Sequence, residues 1–324
     1  MDLEMLRRRA EIIRQVRDFF DSRGYLALDT PLLSPDLIPE SCLEVFQTMR
    51  LYPAGSKKEA APLWLVPSPE IWMKKIIAQH RVSVYQICKC FRNGEATGHL
   101  HSPEFSMLEY YTVDADYIDS IGITEELFSH LSPDEVFRPP FDRVTVAEAF
   151  RRWAGFDLFA AAEKQGVMER QARRLGLDPL PGMNTAALYD LIFIHAVEPH
   201  LKTDRPVFLT DYPAFVPCLA KQKDGGQCVE RWELYFRGIE LANCFSEETD
   251  CEKVRAFFES EAAEKERSAI ATHNVDHGYW KMFLPDGHGR GFPRSSGSAL
   301  GLDRLIMALC GRATIDGVLP FAGL

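Results

Sequence analysis

Three stretches of the chain concentrate side chains able to handle charged groups. In the first, Phe91-Arg92-Asn93-Gly94-Glu95 leads through His101-Ser102-Pro103-Glu104-Phe105 to Met107-Leu108-Glu109-Tyr110-Tyr111. An arginine in such a loop can grip a phosphate bidentately, and an aromatic ring heading the return strand can stack on a purine. Alternation in that strand puts Phe105, Met107, Glu109 and Tyr111 on one face, so ring and carboxylate share a surface. Taken alone, the loop also reads as a solvated charged connection.

The second stretch runs from Trp232 to Glu247. If Arg237-Gly238 is a two-residue hairpin turn, Tyr235 lies opposite Glu240, and Glu233 is diagonal to Glu240 on the same face. Two carboxylates then converge, and hard oxygen ligands so placed suit a magnesium ion that also holds nucleotide phosphates. Strict alternation turns Asn243 to the other face, and a bulge near Leu241 is needed to bring it beside Glu240. The bland alternative is a pair of carboxylates solvated on an open sheet. The third stretch, Gly297 to Met307, reads as part of a glycine-punctuated helix, Gly297–Cys310. Glycines four apart cost such a helix about 1 kcal/mol each relative to alanine, which points to close approach of a backbone or ligand within reach of Arg304. Simple helix packing is the competing explanation.

These side chains need elements to hold them. Leu6, Ala10, Ile13, Val16 and Phe20 recur at helical steps up to Gly24, and a short strand from Tyr25 to Asp29 runs into Pro31. Strands are expected at Ser83–Phe91 and Phe105–Thr112, forming an antiparallel pair around the polar loop. Helical patterning over Ala147–Trp153, Val167–Leu175 and Ala186–Val197 marks an inserted helical segment at about 142–205. Strand character returns from Trp232 to Phe245, and Pro285–Ser298 is the one linker-like stretch.

At 324 residues, with 46% apolar and 26% charged side chains, the chain has the composition of a globular protein with a sizeable core. It has no run of about 20 apolar residues and no signal-like N-terminus, which makes the cytoplasm the expected location and no membrane the expected partner. The eight cysteines form no CxxC pair or zinc-spaced cluster, so they read as reduced and structural. Cys88 and Cys90 share a strand face, where packing outweighs a metal site. A formal net charge of -10 argues against extensive binding of tRNA.

In order along the chain, the helix and strand ending at Pro31, Phe91–Tyr111 and Gly297–Arg304 resemble the three signature motifs of the class II aminoacyl-tRNA synthetases. The run Gly238-Ile239-Glu240-Leu241-Ala242-Asn243-Cys244-Phe245-Ser246-Glu247 is similar to the lysyl-tRNA synthetase pattern. The resemblance spans nearly the whole chain. It implies an α+β fold with an antiparallel sheet flanked by helices, one catalytic domain over 1–324 containing the helical insertion, and a homodimer through the N-terminal motif. ATP and Mg2+ are the implied cofactors. Arg92 would hold the ATP α-phosphate, Glu95 and His101 would surround the nucleotide, Phe105 would stack on adenine, and Arg304 would face the γ-phosphate. Glu233 and Glu240 would carry the magnesium. Glu70, Glu109, Tyr111, Asn243, Phe245, Glu247 and Ala299 would line the amino-acid pocket. The family's usual Phe-Arg-x-Glu has Gly94 at the glutamate position, and a one-residue insertion is taken to hand that role to Glu95.

The substrate class also follows from charge. A pocket lined by Glu70, Glu109 and Glu247 repels a carboxylate and attracts ammonium groups, which favours lysine or β-lysine and disfavours an asparagine-synthetase-like use of aspartate. The motif 1 helix begins near Met1, so no anticodon-binding domain is expected. With Ala299 in place of the glycine of lysyl-tRNA synthetases, this resembles the branch that attaches (R)-β-lysine to a lysine of elongation factor P. A minimal tRNA-charging enzyme is the alternative.

Overall fold

The computed structural model describes residues 2–94 and 98–321. From the N-terminus the elements are α1 (Leu3–Ser22), β1 (Leu26–Ala27), β2 (Leu33–Ser34), β3 (Gln47–Arg50), β4 (Ala61–Leu65), α2 (Glu70–His80), β5 (Val84–Phe91) and β6 (Glu104–Val113). Then come α3 (Tyr117–Leu131), β7 (Asp142–Thr145), α4 (Val146–Ala149), α5 (Leu158–Ala162), α6 (Val167–Arg174) and α7 (Thr185–Ile192). The chain continues through β8 (Val207–Pro213), β9 (Cys228–Phe236), β10 (Ile239–Ser246), α8 (Cys251–Ser268), β11 (Ser295–Gly301) and α9 (Leu302–Leu309). Two compact units result: Met1–Asp114 with Thr249–Ser295 and Ala299–Leu324, and Ala115–Glu248 with Ser296–Ser298.

In the first unit, Asp2 caps α1 by accepting from the Glu4 amide at 3.0 Å, and Gly24 follows the helix at φ +75. Its buried stripe is Met5, Arg9, Ile12, Val16, Phe19 and Phe20. That stripe is rotated from the expected one: Ala10 is exposed, and a charged residue takes a core position. Arg9 can sit there because its guanidinium is 2.6 Å from Asp303 at the start of α9 and donates to Ser106 Oγ at 2.9 Å on β6. Asp303 also accepts from the Ser106 amide at 2.7 Å, so helix, strand and helix share one polar junction. The expected strand at Tyr25–Asp29 pairs only at Leu26–Ala27, in parallel with β5. β5 and β6 form a regular antiparallel pair from Val84 opposite Tyr111 to Phe91 opposite Glu104. A small sheet of order β2-β4-β3 lies apart from them.

In the second unit β7 runs parallel to β8, while β8, β9 and β10 are antiparallel. Arg237 (φ 53) and Gly238 (φ 79) both occupy the left-handed region, as a type I′ hairpin requires. α3 packs on these strands, with Trp232 Nε1 donating to the Tyr117 carbonyl at 2.7 Å. Helices α4 to α7 and the turn after α4 bury Phe150, Leu158, Ala172 and Ile192 with Leu209 and Tyr235. Two of the expected helices are shorter than their patterns: α4 gives way to a wider turn over Phe150–Ala154 that ends at Gly155, and α7 to one over Phe193–Val197.

The expected helix at Gly297–Cys310 is divided. Ser295–Gly301 is the strand β11, and only Leu302 onward is helical. Its small residues, poor helix formers where glycine recurs, are readily accommodated in an extended, mostly buried strand.

Candidate functional site

In the first unit, three of the expected pocket residues meet. Ser68 Oγ accepts from the Glu70 amide at 3.1 Å, fixing the start of α2, and donates to Glu109 Oε2 at 2.6 Å. Tyr111, two residues along β6 on the same face, donates to Glu109 Oε1 at 2.7 Å. Glu70 is paired in turn with Lys74, one helical turn on, at 2.6 Å. Lys74 is fully buried and lies 5.9 Å from the centre of the Tyr111 ring. Ser68 and Lys74 escaped the sequence reading, although the i,i+4 spacing of Glu70 and Lys74 is a legible signal.

Burial, and then the Glu70 charge, push the Glu109 carboxyl up to about 7, against the Ser68 and Tyr111 hydroxyls and Lys74, which favour its ionised form. Because the folded value lies above the ordinary 4.5, the stability this group contributes is present at low pH and lost as pH rises through about 7. Glu109→Gln is therefore expected to stabilise the ligand-free protein at pH 8, by on the order of 1–3 kcal/mol, with little change at pH 5. Urea denaturation at the two pH values checks this, and equal effects at both would remove the electrostatic explanation.

The nucleotide candidates of this unit fall into two contacts. The Arg92 guanidinium lies over the Phe105 ring at 5.3 Å, and the Arg92 amide donates to the Pro103 carbonyl at 3.0 Å. Arg304 Nη2 is 2.8 Å from His101 Nε2, and its Nε donates to the Leu100 carbonyl at 3.3 Å, anchoring the far end of the loop to α9. Glu95 lies outside the described residues. Ala299 is half-buried on β11 rather than on a helix.

The second unit places the remaining candidates on β9 and β10. Glu240 is opposite Tyr235, the register then shifts between Glu240 and Ala242, and Asn243 is opposite Glu233. This is the bulge required for Glu240 and Asn243 to share a face. Arg231, two residues before Glu233 on the same strand face, is a residue the sequence reading missed. Its Nη2 is 2.7 Å from Glu233 Oε1, its Nε donates to Asn243 Oδ1 at 3.0 Å, and its guanidinium lies over Tyr212 at 4.5 Å. Tyr235 donates to the other Glu233 oxygen at 2.7 Å, and burial, then Glu233 and Glu240, push its phenol far above its ordinary value. Phe245 packs against the apolar core of the unit, and Glu247 is buried one step past the end of β10.

A magnesium ion at Glu233 and Glu240 would share the Glu233 oxygens with Arg231 and Tyr235, which already engage both. Among the described residues no three His, Cys, Asp or Glu side chains are grouped to hold a metal by themselves. Two carboxylates on one hairpin face suit an ion whose other ligands are phosphate oxygens and water. The described cysteines are all unbridged, and Cys90 packs its sulfur 3.9 Å from that of Met107. No described helix is long and apolar enough to cross a membrane.

The chain is 33% identical over 321 residues to the elongation factor P (R)-β-lysine ligase of Avibacterium paragallinarum, covering 99% of this chain and 95% of that protein. It is 33% identical over 314 residues to the ligase of that name from Mannheimia succiniciproducens, covering 97% and 93%. The Proteus mirabilis ligase is 32% identical over 319 residues, covering 98% and 94%. A family model for class II tRNA synthetases of the D, K and N type matches residues 2–324. With that match across the described chain, and relatives aligned almost end to end, the chain belongs to the class II tRNA synthetase family of the D, K and N type.

Proposed function

We propose that the chain is an ATP-dependent ligase that activates a lysine-type amino acid, (R)-β-lysine, as its adenylate and passes it to a lysine side chain of elongation factor P. The observation that carries the proposal is the Glu70–Glu109 pair, held at short range by Ser68, Tyr111 and Lys74 on a helix and a strand. Carboxylates positioned so rigidly favour an ammonium-bearing substrate over an acidic one. The names of the relatives support elongation factor P as the acceptor.

In the first step the substrate carboxylate attacks the α-phosphorus of ATP. A carboxylate–phosphorus bond forms as the bond to pyrophosphate breaks, and Arg92 and Arg304 offset the charge gathering on the phosphates. Glu70, Glu109 and Tyr111 hold the ammonium end of the substrate, so its carboxylate is delivered in a fixed orientation. Ala299 of the first unit, and Asn243, Phe245 and Glu247 of the second, are the further residues that the family resemblance assigns to the amino acid. Glu233 and Glu240 would hold magnesium, which when bound neutralises phosphate charge. In the second step a neutral lysine amine of the acceptor attacks the carbonyl carbon, AMP leaves with the bonding electron pair, and the amine loses its proton to solvent. No enzyme nucleophile is required.

Pyrophosphate exchange with α-lysine, (R)-β-lysine and aspartate, followed by mass measurement of elongation factor P, tests both steps. Exchange with a lysine isomer but not aspartate, and a mass gain of one lysyl unit on the factor, are expected. Efficient charging of tRNA without that gain would transfer the acceptor role to tRNA, and exchange with aspartate alone would overturn the substrate class.

A further inference from the structure

Arg231, on β9, borders the apolar core that the second unit forms with helices α4 to α7. Its side chain is 17% exposed, and the guanidinium lies over the Tyr212 ring at 4.5 Å. Tyr212, Val229 and Tyr235 belong to that core, and Phe245, opposite Arg231 on β10, packs against it. Two polar contacts hold the guanidinium there: Nη2 is 2.7 Å from Glu233 Oε1, and Nε donates to Asn243 Oδ1 at 3.0 Å. Asn243 is diagonal to Arg231 across the hairpin, since its register partner is Glu233.

The direction of the second bond carries information. A guanidinium has five N–H donors and no acceptor, so the end of the Asn243 carboxamide that faces Arg231 has to be its oxygen. The NH2 group, at the other end of the same planar amide, is thereby turned away from the arginine. An asparagine without such a neighbour can present either end to a ligand, whereas this one has its end chosen before any ligand arrives. Glu233 is fixed alongside it, because Arg231 engages one carboxylate oxygen and Tyr235 donates to the other at 2.7 Å. Rotating either group breaks a charge-assisted bond at a site where stranding a charge is costly.

We propose that Arg231 is a positioning residue that sets Asn243 as a hydrogen-bond donor toward an anionic oxygen of the bound ligands, the carboxylate of the amino acid or a phosphate of ATP. The proposal rests on the amino-acid-activating function proposed above. An acceptor-only side chain at position 243 would satisfy Arg231 equally well and repel the ligand oxygen.

Pyrophosphate exchange and thermal melts on the wild type, Asn243→Asp and Arg231→Lys, with α-lysine and (R)-β-lysine, test the proposal. Asn243→Asp keeps an oxygen toward Arg231 and exchanges the NH2 group for a second anionic oxygen. It is expected to melt near the wild-type temperature, with Arg231 offsetting the added charge, while kcat/KM falls about 100-fold. A rise in KM for the amino acid alone assigns the ligand oxygen to the carboxylate, and a rise in KM for ATP alone assigns it to a phosphate. Arg231→Lys keeps the charge but loses the planar fork that engages Glu233 and Asn243 together, so a loss of about 10-fold is expected. The lysine variant carries the test if Asn243→Asp fails to fold. A purely structural arginine would instead lower the melting temperature when changed to lysine and leave folded Asn243→Asp with wild-type kcat/KM, and that result would overturn the proposal. A wild type that activates neither isomer would overturn the function beneath it.

Discussion

Arg92→Ala is expected to leave a folded protein whose pyrophosphate exchange falls by about 10³- to 10⁵-fold, the range spanned by arginines that stabilise a transferring phosphoryl group. The backbone of Arg92 is held by the hydrogen bond its amide donates to the Pro103 carbonyl, and its guanidinium lies over the Phe105 ring. On the proposed assignment to ATP, losing it removes a preorganised positive charge where charge would develop, without emptying a core position. Arg92→Lys should recover only part of the rate, since an ammonium lacks the planar fork that grips two phosphate oxygens. Near-normal exchange in the alanine variant, with an unchanged melting temperature, would count decisively against the assignment of Arg92 to ATP.

The largest stability effect is expected at the buried junction of α1, β6 and α9. Arg9→Met strands the Asp303 carboxylate and should cost about 3–5 kcal/mol in denaturant unfolding, a large share of the total stability of an ordinary domain. Asp303→Leu should cost at least as much, because it strands the guanidinium and also takes the acceptor from the Ser106 amide. The double variant R9M/D303L should regain much of the loss but not all, since the Ser106 amide stays without its partner. Additive losses in the double variant would show that the two side chains act separately.

The hairpin was legible because its chemistry is local. Arg237-Gly238 between alternating strands specifies the turn, the turn fixes the pairing of Tyr235 with Glu240, and the need for a bulge follows from counting. The faces of β5 and β6 were legible for the same reason, since their register is regular throughout. Arg9 was not, because an arginine becomes a core residue only through Asp303, which lies 294 positions away in sequence. The loop between β2 and β3 was hidden likewise: it has no periodicity, and the Ser41 amide and Leu43 carbonyl are held by Glu261 and Lys265, more than 200 residues further on. The division of Gly297–Cys310 into strand and helix went unread because small residues carry little periodic signal of either kind. Arg231 had a signal, its two-residue spacing from Glu233, but nothing in the sequence distinguishes an arginine aimed at a carboxylate from one aimed at solvent.

The extra residue at Leu241 makes β10 a strand of two parities. Before it, even-numbered positions such as Glu240 face the Glu233 side; after it, odd-numbered positions such as Asn243 and Phe245 do. The segment therefore has a length grammar stricter than its spelling. Exchanging one side chain changes one contact, whereas losing one residue here reverses the phase of everything beyond it. Variation in this part of the family should accordingly proceed by substitution at constant length, with insertions and deletions displaced to the turn at Arg237-Gly238 or past Glu247.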